Sequence, residues 1–212
     1  MPVVVCRGAT EEGLASDSGD QAHGEARPGS PTMSHSAPSH SSPATRRAPY
    51  VAVVGPEAAT SSEVETAQRL GRLLAQQQCI VICGGLGGVM EAVCRGAQSE
   101  GGITVGLLPG NSRVKGNAFL SVALPTGLGE LRNGLVVRSA DAVIVVGGSW
   151  GTLSEMALAV RTSKPTIVIS GWEVRVPGKS ENSELRVAVS AEDAVRMTLS
   201  MVGPEAATGD VI

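Results

Sequence analysis

Two glycine-rich stretches carry the residue types that hold an anion. Gly84-Gly85-Leu86-Gly87-Gly88 lies between the apolar run IVIC and the segment VMEAVCRGA, and Gly147-Gly148-Ser149-Trp150-Gly151-Thr152 lies between AVIVV and a segment containing Glu155. Glycine lets the main chain approach a ligand closely, and a helix that begins there offers unsatisfied N–H groups to a phosphate. Ser149 and Thr152 add hydroxyl donors. Glycine also serves merely to turn a chain, so either stretch alone carries little. Two of them in one sheet make Gly84, Gly85, Gly87, Gly88, Gly148, Ser149, Trp150, Gly151 and Thr152 candidate ligand-binding residues.

Further candidates surround these loops. Glu91 could touch a ribose hydroxyl, although a carboxylate in the first turn of a helix is also explained by the helix dipole. Trp150 could cover a base or a sugar, or equally be an interface or core side chain. Asn117, Thr126 and Asn133 fall on loops beside the expected crevice. Asp141 precedes a strand and reads as a cap or turn residue.

Composition excludes several chemistries. All three histidines, His23, His35 and His40, precede the periodic part of the sequence, which leaves no imidazole there for a triad, a general base or a metal site. A formal net charge of -3 and 2% aromatic residues argue against nucleic acid as a partner. GxGxxG anchored at Gly85 would need glycine where Met90 stands, so a dinucleotide is unsupported. Gly178-Lys179-Ser180 imitates a P-loop ending, but its first glycine would fall on Glu173. Lys115, Lys164 and Lys179, the only lysines, lie in no recognisable pyridoxal-phosphate setting. Cys79, Cys83 and Cys94 read as small core residues in a reducing compartment. With no membrane-length apolar run, the expected location is the cytoplasm.

The elements that must position the loops follow from periodicity. Residues 1–48 are rich in Ser, Pro, Gly and Ala without a repeat and read as a disordered tail; residues 49–212 form the domain. Apolar runs predict strands over 50–54, 80–83, 103–108, 119–124, 142–146, 166–169 and 186–189. Three-to-four spacing predicts helices over 62–77, 89–99 and 151–162, and Ser190 with Asp193 resembles a capping box opening a last helix. Alternation of these elements predicts an α/β fold, a Rossmann-like doubly wound, mostly parallel sheet with helices on both faces.

Residues 130–155, ELRNGLVVRSADAVIVVGGSWGTLSE, resemble the core of the LONELY GUY (LOG) family and its relatives in the SLOG superfamily, long labelled as lysine decarboxylases. Arg132 and Glu155 fall at the arginine and glutamate of the family pattern, and Gly148, Gly151 and Thr152 match its PGGxGT loop. Gly147 stands where that loop has proline and Ser149 where it has its second glycine; Asn133 replaces a basic residue. The wider text, from YVAVVG through CGGLGGVMEAVCRGA, GGITVGLLPG and TGLGELRN, resembles a bacterial SLOG branch that is also similar to molybdenum-cofactor carrier proteins.

The LOG resemblance implies a phosphoribohydrolase that cleaves the N-glycosidic bond of a nucleoside 5′-monophosphate. Glu155 would then stabilise the oxocarbenium-like carbon or position water, and Arg132 would hold ligand oxygens. Spacing alone allows an ordinary Arg-Glu ion pair tying two helices. The resemblance also implies a homo-oligomer. Three functions stay open: a carrier of a phosphorylated small molecule, either a nucleotide or the molybdenum cofactor, with no other cofactor required; a hydrolase; and a ligand-sensing module. The altered loop tilts the reading towards binding.

Overall fold

Strands buried on both faces need helices above and below them, and the uniformly apolar runs of this chain meet that condition. The computed structural model describes residues 3–5, 47–175 and 185–202. In chain order the elements are β1 (Val3–Val5), β2 (Tyr50–Val54), α1 (Ser61–Gln76), β3 (Ile80–Cys83), α2 (Val89–Ser99), β4 (Thr104–Leu108), β5 (Val122–Pro125), α3 (Asn133–Arg138), β6 (Ala142–Val146), α4 (Trp150–Arg161), β7 (Thr166–Ile169), β8 (Glu173–Arg175), β9 (Leu185–Val187) and α5 (Ala191–Met201). The central sheet has seven strands in the order β5-β4-β3-β2-β6-β7-β9, every pair parallel. This is the Rossmann-like α/β architecture that the alternation of elements predicts.

Side-chain alternation along β2 divides the interior. Val51 and Val53 point to a core shared with Ala67, Leu70 and Leu74 of α1, Val93 of α2 and Val195 of α5. Ala52 and Val54 point the other way, to Val136 and Val137 of α3 and Met156 and Ala159 of α4. Leu70 and Leu74 are fully buried; truncating either to alanine costs about 2–5 kcal/mol.

α1, α4 and α5 begin where a side chain satisfies a first-turn N–H group, whereas α2 and α3 have no side-chain cap. Thr60 and Glu63 form a complete capping box on α1, with Thr60 Oγ1 accepting from the Glu63 N–H and the Glu63 carboxylate accepting from the Thr60 N–H at 2.7 Å. At α5, Ser190 Oγ accepts from the Asp193 N–H as the sequence suggests, but the Asp193 carboxylate reaches back to the N–H of Val189 rather than that of Ser190.

Three features differ from the sequence-based expectation. The strand expected over 119–124 begins only at Val122, because the Ser121 hydroxyl accepts from the Thr104 N–H and the Thr104 hydroxyl donates to the Phe119 carbonyl, where ladder bonds would otherwise start. Periodicity predicts no helix where α3 lies; it is six residues long and contains Gly134. Within the first 48 residues, Val3–Val5 pairs in parallel with Glu173–Arg175 as a separate two-stranded sheet. The rest of that segment up to residue 46, with the three histidines and Cys6, and the P-loop imitation Gly178 to Ser180, lie outside the described residues.

Chain order reverses between β2 and β6. From β2 the chain winds outward through β3, β4 and β5, then returns to lay β6 on the other side of β2. Loops at the carboxyl ends of these two strands diverge and leave a crevice, the place where open α/β sheets take ligands.

Candidate functional site

That crevice is a cleft with about 380 Å³ of empty space, counting the part open to solvent. The end of β2 contributes Val54 and Gly55, the loop after β3 contributes Gly84, and α2 contributes Met90. Ser149, Gly151, Thr152 and Glu155 come from the start of α4, and Arg132 and Asn133 from the turn into α3. Both glycine-rich loops therefore border one space.

Arg132 and Glu155 face each other across the floor. Arg132 is 7% exposed and Glu155 6%. Their nearest charged atoms, Nη1 and Oε1, are 3.8 Å apart, an ion pair but too long for a hydrogen bond. Arg132 Nε is buried and has no hydrogen-bond partner. A buried donor left unsatisfied costs about 1–3 kcal/mol, so the guanidinium is poorly served by its surroundings. Glu155 does not serve it fully, because burial pushes the carboxyl up to about 7 despite the opposing pull of Arg132. Near neutral pH the floor of the cleft thus carries a full positive charge and only part of a negative one.

The loop after β6 is shaped by Gly147 and Ser149. Gly147 has φ +65° and donates its N–H to the Ile169 carbonyl at 3.1 Å. Proline, the residue of the PGG pattern, has φ near −65° and no N–H, so this loop is built differently from a PGG loop. Ser149 caps α4: its Oγ accepts from the Thr152 N–H at 3.2 Å and lies 2.9 Å from the Thr152 hydroxyl. Gly148 is covered by the indole of Trp172, and Trp150 projects outward beside it.

The remaining candidates stand back from the wall. Gly85, Gly87 and Gly88 complete the turn behind Gly84, with Gly88 as the N-cap of α2 and Glu91 in that helix's first turn. Asn117 clasps this turn: its backbone N–H donates to the Gly85 carbonyl, its side-chain amide donates to the Leu86 carbonyl, and its Oδ1 accepts from the Phe119 N–H. The Thr126 hydroxyl donates to the Leu108 carbonyl. Asp141 accepts from the Tyr50 N–H at 2.8 Å and ties β2 to the start of β6. Cys79, Cys83 and Cys94 are buried; the sulfurs of Cys83 and Cys94 are 3.5 Å apart, and Cys83 accepts from the Gly85 N–H.

Sequence reasoning passed over Val54, Gly55 and Met90. The usable signal was Gly55, the first residue after the innermost strand, but a single glycine there looks like any turn. Among the described residues, no three His, Cys, Asp or Glu side chains are gathered to hold a metal ion. No helix among them is long and apolar enough to cross a membrane.

The chain is similar to known proteins in sequence and in fold. An uncharacterised protein of Archaeoglobus fulgidus is 39% identical over 130 residues, 58% of this chain and 85% of that protein. The molybdenum cofactor binding protein of the phototrophic bacterium Rippkaea orientalis superposes with a TM-score of 0.68 at 32% identity, over 75% of this chain and 100% of that one. The molybdenum cofactor carrier protein of Chlamydomonas reinhardtii does so with a TM-score of 0.63 at 26% identity, over 73% and 98%. The profile of the SLOG cluster4 family matches residues 48–197, two core layers, cleft and both glycine loops included, and the chain belongs to that family.

Proposed function

We propose that the chain is a binding or carrier protein for a phosphorylated small molecule of nucleotide or molybdenum-cofactor type, with the phosphate end held in the cleft between the β2, β3 and β6 loops. The observation that carries this reading is Arg132. An arginine that is 7% exposed, with an unpaired Nε and a counter-ion 3.8 Å away, has donors left over for an anion. The hydroxyls of Ser149 and Thr152 stand on the same wall. The structural relatives described as binding or carrying the molybdenum cofactor support the carrier reading for this chain. The cofactor's terminal phosphate would meet the same Arg132, Ser149 and Thr152 as a nucleotide's.

Native mass spectrometry of freshly purified protein tests it. A retained phosphorylated ligand, one per site, supports the carrier. Absence of any such ligand, together with no calorimetric response to AMP, ribose 5-phosphate or inorganic phosphate, would sink it.

One observation favours a second reading, a nucleoside 5′-monophosphate phosphoribohydrolase. A carboxyl held near 7 suits proton transfer at neutral pH, and Glu155 sits beside the arginine that would hold the substrate. Incubation with AMP separates the two: catalytic release of adenine and ribose 5-phosphate supports hydrolysis, and stoichiometric binding without product supports carriage.

A further inference from the structure

We infer that Trp150, backed by Trp172, is the stacking platform for a planar nitrogen heterocycle on the ligand; this rests on the reading of the cleft as a phosphate site. The chain has only two tryptophans, one tyrosine and one phenylalanine, yet both tryptophans meet beside the second glycine loop. Their ring centroids are 5.3 Å apart with planes tilted by 40°. Trp150 opens α4 between Ser149 and Gly151, both of which line the cleft, and it is 76% exposed. An exposed indole of this size is an unused apolar face.

Trp172 explains why that ring has a fixed place. It packs over Gly148, where a Cβ would stand 2.7 Å from its Nε1, and Nε1 is buried without a hydrogen-bond partner. The Trp172 ring thus lies against both Gly148 and Trp150, a wall behind Trp150. The other rings lie elsewhere: Tyr50 begins β2 at the opposite end of the strand from the cleft, and Phe119 packs against the core beneath Arg95.

Size points the same way. The enclosed part of the cleft, about 100 Å³, is smaller than ordinary ligand pockets. It holds a phosphate and little more, so a fused ring on the same ligand would lie outside it, where Trp150 stands between the cleft-lining Ser149 and Gly151.

The test compares AMP with ribose 5-phosphate, which lacks the ring, by calorimetry on the native full-length chain, W150A and W150F. AMP is expected to bind the native chain at least about tenfold more tightly than ribose 5-phosphate. W150A removes that difference while leaving ribose 5-phosphate affinity unchanged, and W150F retains most of it. In W172F, which keeps Trp150 as the only tryptophan, AMP quenches the tryptophan emission and ribose 5-phosphate does not. Equal affinity of the native chain for both ligands would overturn the platform but not the phosphate site. So would an equal loss of both in W150A, or a change of subunit number in W150A with the ligand ratio intact, which would make Trp150 an interface residue. If neither ligand binds the native chain, the phosphate site and the platform fall together.

Discussion

The guanidinium of Arg132 occupies the space that a side chain at residue 84 would take: a Cβ built on Gly84 would stand 2.1 Å from Nη1 and 2.5 Å from Cζ. The first glycine of one loop is therefore the seat of the arginine that faces the other loop. Gly84 has no positive φ, so alanine there is tolerated by the backbone and acts by displacing Arg132. G84A should lower AMP or phosphate affinity by at least about tenfold while costing about 1–3 kcal/mol of stability, the usual penalty of overpacking. Calorimetry and urea unfolding on the same preparation check both, and native affinity in G84A would mean that the seat does not matter.

Removing the charge should do more than moving it. Hydrogen bonds to charged groups contribute about 1.5–3 kcal/mol each, so R132M, which keeps much of the buried volume, should weaken anion binding by about tenfold to a hundredfold per bond lost. R132K keeps the charge without the planar fork and should fall between. Circular dichroism of each variant separates lost binding from lost fold. R132M binding phosphate as well as the native chain would remove Arg132 from the site.

Much of this arrangement was legible in the sequence and some was not, for physical reasons. β2, β3, β6 and β7 announce themselves because strands covered on both faces are apolar throughout, and glycine loops after them are visible as glycine. α3 hides because six residues with an internal glycine carry little period. The β1–β8 pair involves three residues on each strand, too few for a pattern. The seating of Arg132 on Gly84 joins two loops far apart in sequence, and no local preference encodes it; only the strand order brings them together. Asn117 and Thr126 fall on loops beside the expected crevice, and no local pattern shows that their side chains donate to the Leu86 and Leu108 carbonyls.

Glu155 gives the fold a pH dependence with a definite sign. Its carboxyl is raised from 4.5 to about 7 in the folded protein, by burial first, with Arg132 opposing. Between those values the folded chain holds a proton that the unfolded chain has released, so stability falls as pH rises through the window and levels off above it. Each pH unit is worth about 1.4 kcal/mol, or roughly 3 kcal/mol over the whole window. E155Q cannot ionise, so native stability should decline relative to E155Q from pH 5 to pH 8 in urea unfolding. A constant difference would return Glu155 to the ordinary carboxylate range.

The last relationship links a helix cap to the second loop. A Cβ on Gly147 would stand 1.9 Å from Glu63 Oε1, and the same carboxylate holds the Thr60 N–H in the capping box of α1. G147A therefore carries two costs, the left-handed φ of +65° and the displacement of Glu63 from the cap. The first is about 1–2 kcal/mol for a non-glycine residue, and the second about 1 kcal/mol. In an E63A background the clash and the Glu63 half of the capping box are both already gone, so G147A should cost only the backbone share. The double-mutant cycle should then show a coupling of about 1 kcal/mol between residues 63 and 147. Strict additivity would mean that Glu63 swings aside without loss, and that the loop after β6 is held by the Gly147 N–H on the Ile169 carbonyl rather than by the start of α1.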